Sequence, residues 1–533
     1  MKKTSLEFHL GLCLAGAVSA GAYTAGVLDY LLEALENWEQ QKASGKTDIP
    51  QHQVKIKVIG GASAGGMTGI MTLAHLLKTL QPVQSLSNSL ETHPENTLYH
   101  SWVDMTQPDM LDQLLDTSDI KDNPPKSLLN ATFIQQLAQR ALPLSNAVLN
   151  KPYVHESLQC FVSLTHLNGR SYSTSFKSDM PSSNRYITTR HDAFMGFALN
   201  PKHATNGWIA IDWNNPSCVK AMQDAAIATG AFPVGLKAHT FAAQLLTPKE
   251  KIFNTHAKQT FVDGGVIYNE PFEKVMELLH ETTDHQMIIS KTNSDSNHFD
   301  RTMIMIDPFP SEMSDYKNDT TIGAVAIDTF SAMLNQCRSK PEDLADALDS
   351  ENYSKFLISP IRYEDTHVIE GNHALACGAL GGFGGFLHRD FRVHDFFLGR
   401  ANCERFLRHH FAVPAATSNP IFVKGYENCA TNVYLTKNGL LPIIPLFTIE
   451  NEKPYSPTLS HGQKFPKIMA AELNRNKRKI KFRVQAVLLS LSKYSWTEKT
   501  LLWIGAKIVI NEKITTILLD KIRKELRERN MLR

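Results

Sequence analysis

Val54-Lys55-Ile56-Lys57-Val58-Ile59 runs through Gly60 directly into Gly61-Ala62-Ser63-Ala64-Gly65. The first stretch has the β-branched character of a strand, and residues 67–80 carry the apolar spacing of a helix. A G-x-S-x-G serine at such a handover sits on a sharp elbow, with its hydroxyl raised above the sheet edge. Gly61 and Gly65 belong there because strand and helix nearly touch. The amides that open the helix favour negative charge developing beside Ser63. The plainer reading of the same residues is a tight βα turn without chemistry.

Working outward, Leu6, Phe8, Leu10, Leu12 and Leu14 alternate as a strand does, and residues 16–21 form a small-residue loop. Residues 23–38 read as a helix with Val27, Leu28, Leu31, Leu32 and Leu35 on one face. This strand-loop-helix-strand-elbow-helix order predicts an α/β fold: a parallel sheet with helices on its faces. Residues 82–155, broken by Asn123-Pro124-Pro125, read as a mostly helical insert or lid. Further strands are expected over 158–164, 172–176, 259–262, 286–290 and 303–306, and a helix over 219–229. After Asp307-Pro308-Phe309-Pro310 the composition turns helical, glycine-punctuated and basic, which puts a boundary near residue 310.

The chain's 533 residues, 42% hydrophobic, suffice for one large core or two ordinary ones. A net charge of +2 argues against a dedicated nucleic-acid binder. The seven cysteines (Cys13, Cys160, Cys218, Cys337, Cys377, Cys403, Cys429) form no C-x-x-C, so neither a disulfide framework nor a zinc site is expected. No run of 18 apolar residues is available to span a bilayer. Lys2-Lys3 ahead of the apolar stretch from Leu10 to Ala20 imitates a secretory leader. Glu7 and His9 interrupt it, and its glycine and alanine content argues against cleavage. The expected location is the cytoplasm or the periphery of a membrane.

Two further features fit Ser63. Asp263-Gly264-Gly265 follows the apolar Phe261-Val262 and precedes Asn269-Glu270-Pro271. An aspartate ending a buried strand emerges at the sheet edge where the elbow lies, and it can take the serine proton without an intervening histidine. That role needs desolvation, because an exposed carboxyl is too weak a base at neutral pH. Turn capping by Asp263 is the other reading. The loop Gly16-Ala17-Val18-Ser19-Ala20-Gly21 offers consecutive amides for an oxyanion hole. It lacks the G-x-G-x-x-G spacing and the Lys-Ser/Thr pair of nucleotide-binding loops.

In this order and spacing, the residues resemble the patatin-like phospholipases. The matches are residues 16–21 with Gly26-Val27-Leu28, then Gly61 to Gly65, then Asp263 to Gly265 with Asn269 and Pro271. Ala225-Ala226-Ile227-Ala228-Thr229-Gly230-Ala231-Phe232-Pro233 is a softer match. The resemblance implies a three-layer α/β/α hydrolase over 1–310, with 82–155 as its insert and 311–533 as a largely helical extension. It implies Ser63 as nucleophile, Asp263 as proton acceptor, the amides of Gly16, Ala17 and Val18 as oxyanion hole, and Gly21, Gly61, Gly65, Gly264 and Gly265 as supports. It implies phospholipid or lysophospholipid ester substrates and no metal or organic cofactor. The loop departs from the family's G-G-G-x-Arg/Lys-G at Ala17, Val18 and Ala20, so the chain reads as a variant subfamily without the basic residue. A Ser-His-Asp esterase using His280, His285 or His394 is the alternative enzyme. A catalytically silent membrane- or partner-binding protein on the same fold is the alternative class.

Residues 371–411 combine close-set glycines and aromatics with Arg392, His394, Asp395 and Arg400, which points to tight helix packing around a polar network. The basic run 475–483 and the amphipathic stretch 514–533 read as packed helices with solvated faces. Their alternative use is peripheral contact with an anionic membrane surface.

Overall fold

The computed structural model describes residues 6–85, 93–106, 110–120, 125–174, 186–246, 252–253, 258–280, 296–310, 353–364, 367–447, 465–491 and 510–533, with scattered positions between 321 and 333. Its principal elements run β1 Glu7–Leu14, α1 Gly21–Ala43, β2 Gln53–Gly61, α2 Ser63–Leu76, α3 Thr132–Ala141, β3 Val154–Thr174 and β4 Tyr186–Ala198. Then come β5 Ile209–Ala210, α4 Pro216–Thr229, β6 His239–Phe241, β7 Ile252–Phe253, β8 Gln259–Asp263, α5 Phe272–His280, β9 Arg301–Ile306 and β10 Lys355–Ile358. The last long helices are α6 Arg389–His409, α7 Lys477–Leu491 and α8 Ile510–Glu528.

Of the apolar stretch from Leu10 to Ala20, Leu10 to Leu14 lie in β1, deep in the sheet. This strand pairs in parallel with β2 on one side and β9 on the other; β10 continues beyond β9 and β3 beyond β2, all parallel. The direction reverses at β4 and β8, both antiparallel to β3. The alternation of β1 sorts its side chains to two faces. Phe8, Leu10, Leu12 and Leu14 join the large core with α1, α2 and α6, whereas Cys13 joins Val58, Phe161, Val275, Leu279, Met303 and Met305 under α5. A mostly parallel sheet between helical layers is thus built from one period-2 pattern.

Two expected strands, 158–164 and 172–176, belong to the single 21-residue strand β3 up to Thr174; residues 175–176 and the strand expected at 286–290 lie outside the described residues. The spacing did not predict β4. Its stretch Thr188-Thr189-Arg190-His191 is polar and exposed, so only the later half carries an apolar signal.

Close helix packing holds as expected between α1 and α6. A Cβ on Gly26 would lie 1.9 Å from the Phe396 carbonyl oxygen, and one on Gly399 would lie 2.2 Å from that of Tyr23. Beside this crossing, buried Arg400 pairs with Asp29 and Glu33 of α1. The large core continues through Phe396, Phe406, Leu526 and Met531, and the insert contributes Leu98, Tyr99, Trp102 and Val103 to it. The six described cysteines are free thiols. Among the described residues no helix is long and apolar enough to cross a membrane.

Candidate active site

A change of partner along one edge of β3 brings the distant residues together. β2 runs parallel to β3 and ends with Gly61 opposite Val162. Two positions further along that strand, Leu164 pairs with Asp263, because β8 arrives from the opposite direction. Two strand residues span roughly 7 Å. Ser63, two residues beyond the end of β2, therefore meets Asp263 at the end of β8.

The elbow is sharp at Ser63 itself. Ala62 is extended (φ −123°, ψ 150°) and Ser63 takes φ +51° before α2 begins. A left-handed serine is uncommon and stores strain that its neighbours must hold. The Ser63 amide donates to Thr229 Oγ1 (2.9 Å), and the Thr229 hydroxyl donates to the Ser163 carbonyl (2.9 Å). Thr229 thereby ties the elbow to β3. Gly61 and Gly65 face each other across the turn, and a Cβ on Gly65 would lie 2.2 Å from the Leu14 carbonyl oxygen.

Ser63 Oγ donates to Asp263 Oδ2 at 2.5 Å, and the Gly265 amide donates to Asp263 Oδ1 at 2.7 Å. Asp263 is 3% exposed, and burial pushes its carboxyl up to about 7 against the lowering effect of both donors. A base poised near neutrality is matched to taking a proton at physiological pH. Asp263 also caps its own turn through the Gly265 amide, as the turn-capping reading expects. Gly264 packs on the Ser163 carbonyl, where a Cβ would approach to 2.0 Å.

The loop after β1 lies on the serine. A Cβ on Gly16 would sit 3.0 Å from Ser63 Cβ and 2.2 Å from Asn269 Oδ1, which leaves only glycine. The three amides expected to face an oxyanion are not equivalent. That of Gly16 donates to the Asn269 carbonyl (3.2 Å), whereas those of Ala17 and Val18 have no acceptor among the described residues. Val18 takes φ +47°, a left-handed backbone, directly after Ala17 at φ −147° and ψ 10°. Gly21 opens α1 against the Trp102 ring.

Of the histidines proposed for a triad, His394 pairs with Asp395 (2.7 Å), His280 ends α5, and His285 is outside the described residues. Arg392, Asp395 and Arg400 are buried structural links. Asp395, for instance, accepts from the Ala376 and Cys377 amides at 2.8 Å each. Glu7, His9 and His155 bring potential metal-ligand atoms within 4.8 Å of one another. Lys55 occupies Glu7 at 2.9 Å and Lys57 adds positive charge beside His9, so that cluster is poorly suited to a cation. Sequence reading missed Thr229 and Ser19 as supports. Thr229 lay in the softer motif match, but nothing in its spacing shows its partner.

A G-x-S-x-G elbow on a mostly parallel, helix-covered sheet, bonded directly to an aspartate, defines the general class of α/β serine hydrolases. Within it, the chain carries a patatin-like phospholipase domain. Residues 12–276 match the model described as "Patatin-like phospholipase", a span from β1 into α5 that contains Ser63 and Asp263. The chain is also similar to a Sinorhizobium fredii protein named "Uncharacterized protein y4iI". The two are 29% identical over 500 aligned residues, covering 82% of this chain and 70% of that one, so the likeness extends beyond the patatin-like span.

Proposed function

We propose that this protein is a serine acyl hydrolase that cleaves phospholipid or lysophospholipid carboxylic esters through a Ser63 acyl-enzyme, with Asp263 as the only general base. The observation that carries this is the 2.5 Å hydrogen bond from the serine on its strained elbow to a buried carboxylate near neutrality. As Ser63 Oγ bonds to the ester carbonyl carbon, its proton passes to Asp263 Oδ2. The carbonyl electron pair moves onto oxygen, which accepts from the amides of Ala17 and Val18. Gly16 then serves by letting the loop rest on the serine. Collapse of the intermediate expels the alcohol, which takes the proton from Asp263. Water attacks the acyl-enzyme and gives a proton to Asp263, which passes it to Ser63 Oγ as the fatty acid leaves.

An apolar rim supports a lipid substrate. Phe232 and Val234 follow Thr229 directly and are exposed, and the Leu128 amide joins exposed Leu128 to the Val234 carbonyl at 2.8 Å. On α7, exposed Lys477, Arg478 and Phe482 support peripheral contact with an anionic bilayer. The deciding experiment is hydrolysis of a phospholipid and lysophospholipid panel by wild type, Ser63→Ala and Asp263→Asn. Wild type releases fatty acid, Ser63→Ala loses at least about a thousandfold in kcat, and Asp263→Asn loses about 10²–10⁴-fold. Full activity in Ser63→Ala rejects the proposal.

A further inference from the structure

The loop that bears Ala17 and Val18 does not hold its own shape. Valine is β-branched, and at φ +47° it is strained and persists only where surrounding structure over-determines it. Residues 17, 18 and 20 carry side chains where a glycine-rich loop would take the left-handed region freely. The restraint comes from more than 350 residues away in sequence. Ser19 donates its amide to the Gly382 carbonyl (3.1 Å), its hydroxyl donates to the same carbonyl, and its Oγ accepts from the Gly385 amide (3.0 Å).

Gly382 itself presses on the strained residue. It has φ +96°, and a Cβ there would lie 3.2 Å from Val18 Cβ and 3.1 Å from the Phe309 ring. It ends a run of three left-handed residues, Leu380 (φ +57°), Gly381 (φ +63°) and Gly382. Such a run is also unfavourable alone. The end of the chain holds both this run and the residues that lead into it. Glu525 on α8 accepts from the Leu380 amide at 2.5 Å. Arg529, just past α8, donates to the carbonyls of Asn372 (3.0 Å), Leu375 (3.3 Å) and Gly378 (3.4 Å). From within, buried Arg392 donates to the Gly385 carbonyl.

We infer that the turn Leu380-Gly381-Gly382, locked by Glu525 and Arg529, is the device that holds Val18 in its left-handed conformation, with Ser19 as the contact point. Ser19, Gly382 and Arg529 are then positioning residues for the oxyanion loop, and the segment beyond residue 370 completes the hydrolase. This rests on the reading of Ala17 and Val18 as oxyanion donors. If the clamp opens, Val18 relaxes to negative φ and the peptide between Ala17 and Val18 turns its amide away from the carbonyl oxygen. The ester still binds, because its apolar contacts lie elsewhere.

The test compares wild type with Arg529→Ala, Arg529→Lys, Ser19→Ala and, as a control on the adjoining helix α8, Arg523→Ala. Two readouts are taken: kcat and KM on a short-chain p-nitrophenyl ester, and amide hydrogen exchange over residues 15–22. Losing an oxyanion donor outright costs about 10²–10³ in kcat, so a displaced one is expected to cost about 10–100-fold. Arg529→Ala and Ser19→Ala are expected to show that loss with KM within twofold, and faster exchange at 15–22. Arg529→Lys recovers part of kcat, and Arg523→Ala matches wild type. Unchanged exchange and kcat in both Arg529→Ala and Ser19→Ala overturn the inference, as does a loss confined to KM. Should Arg529→Ala fail to fold, Ser19→Ala, which removes one hydroxyl, decides alone. Should wild type show no Ser63-dependent hydrolysis, the hydrolase reading fails while the exchange measurement still judges the clamp.

Discussion

Asp263 is buried at a cost to the folded state. Its carboxyl rises from an ordinary value near 3.8 to about 7 because it is buried, with no cation beside it among the described residues to hold the charge. The folded chain therefore keeps this proton over a range where the unfolded chain has lost it. The resulting stabilisation is complete below about pH 4 and is lost as pH rises through about 7, a swing of about 4 kcal/mol. Activity runs the opposite way, since the base must be ionised. The logarithm of kcat/KM for ester hydrolysis is expected to rise from pH 5 and level off above about 7. Asp263→Asn, neutral throughout, should melt above wild type at pH 8, with the gap closing towards pH 4, while its hydrolysis is lost. Equal melting shifts at both pH values would contradict the assignment. The serine, the aspartate and the small-residue loop were legible in the sequence because each is local: an elbow pattern, a D-G-G turn, a glycine-bounded run. Val18 at φ +47° was not, because its restraint lies in residues 380–385 and no local pattern points there.

At the scale of elements, the site exists because β3 is longer than its partners. β2 uses its first half and β8 takes over the same edge two residues later, from the opposite direction. Alternation in the sequence showed β1, β2, β8, β9 and two parts of β3, yet it could not show that 158–164 and 172–176 are one strand, since the polar Thr165 to Arg170 stretch hides the register shift there. The parallel sheet followed from β1, α1, β2 and α2, where burial on both faces makes the apolar signal nearly continuous. The crossing of α1 over α6 gives an element-scale prediction. Helix propensity alone favours Gly399→Ala by about 1 kcal/mol. The new Cβ would nevertheless strike the Tyr23 carbonyl, so destabilisation of about 3 kcal/mol is expected from overpacking. Urea denaturation reads the sign directly, and a midpoint at or above wild type would refute the crossing.

For the whole molecule, the described residues beyond 310 are built onto the patatin-like fold. β10 extends the sheet, α6 covers α1, and Arg400 neutralises the buried Asp29 and Glu33. Composition showed that this region is helical and basic, but not where it docks, because docking depends on glycine contacts and buried charges that leave no periodic trace. Its outer surface gives a further prediction. Lys477, Arg478 and Phe482 lie exposed along α7, so binding to anionic vesicles should fall when all three are replaced by alanine, and it should weaken with salt. Equal co-sedimentation of the triple variant and wild type would exclude that face. The most direct test of the central claim is mass spectrometry of the protein during turnover of a slow acyl ester, with peptides mapped after acid quench. The account predicts the acyl mass on Ser63, accumulating in wild type and absent in Asp263→Asn. An acyl group on another residue, or undiminished acylation of Ser63 in Asp263→Asn, would contradict it.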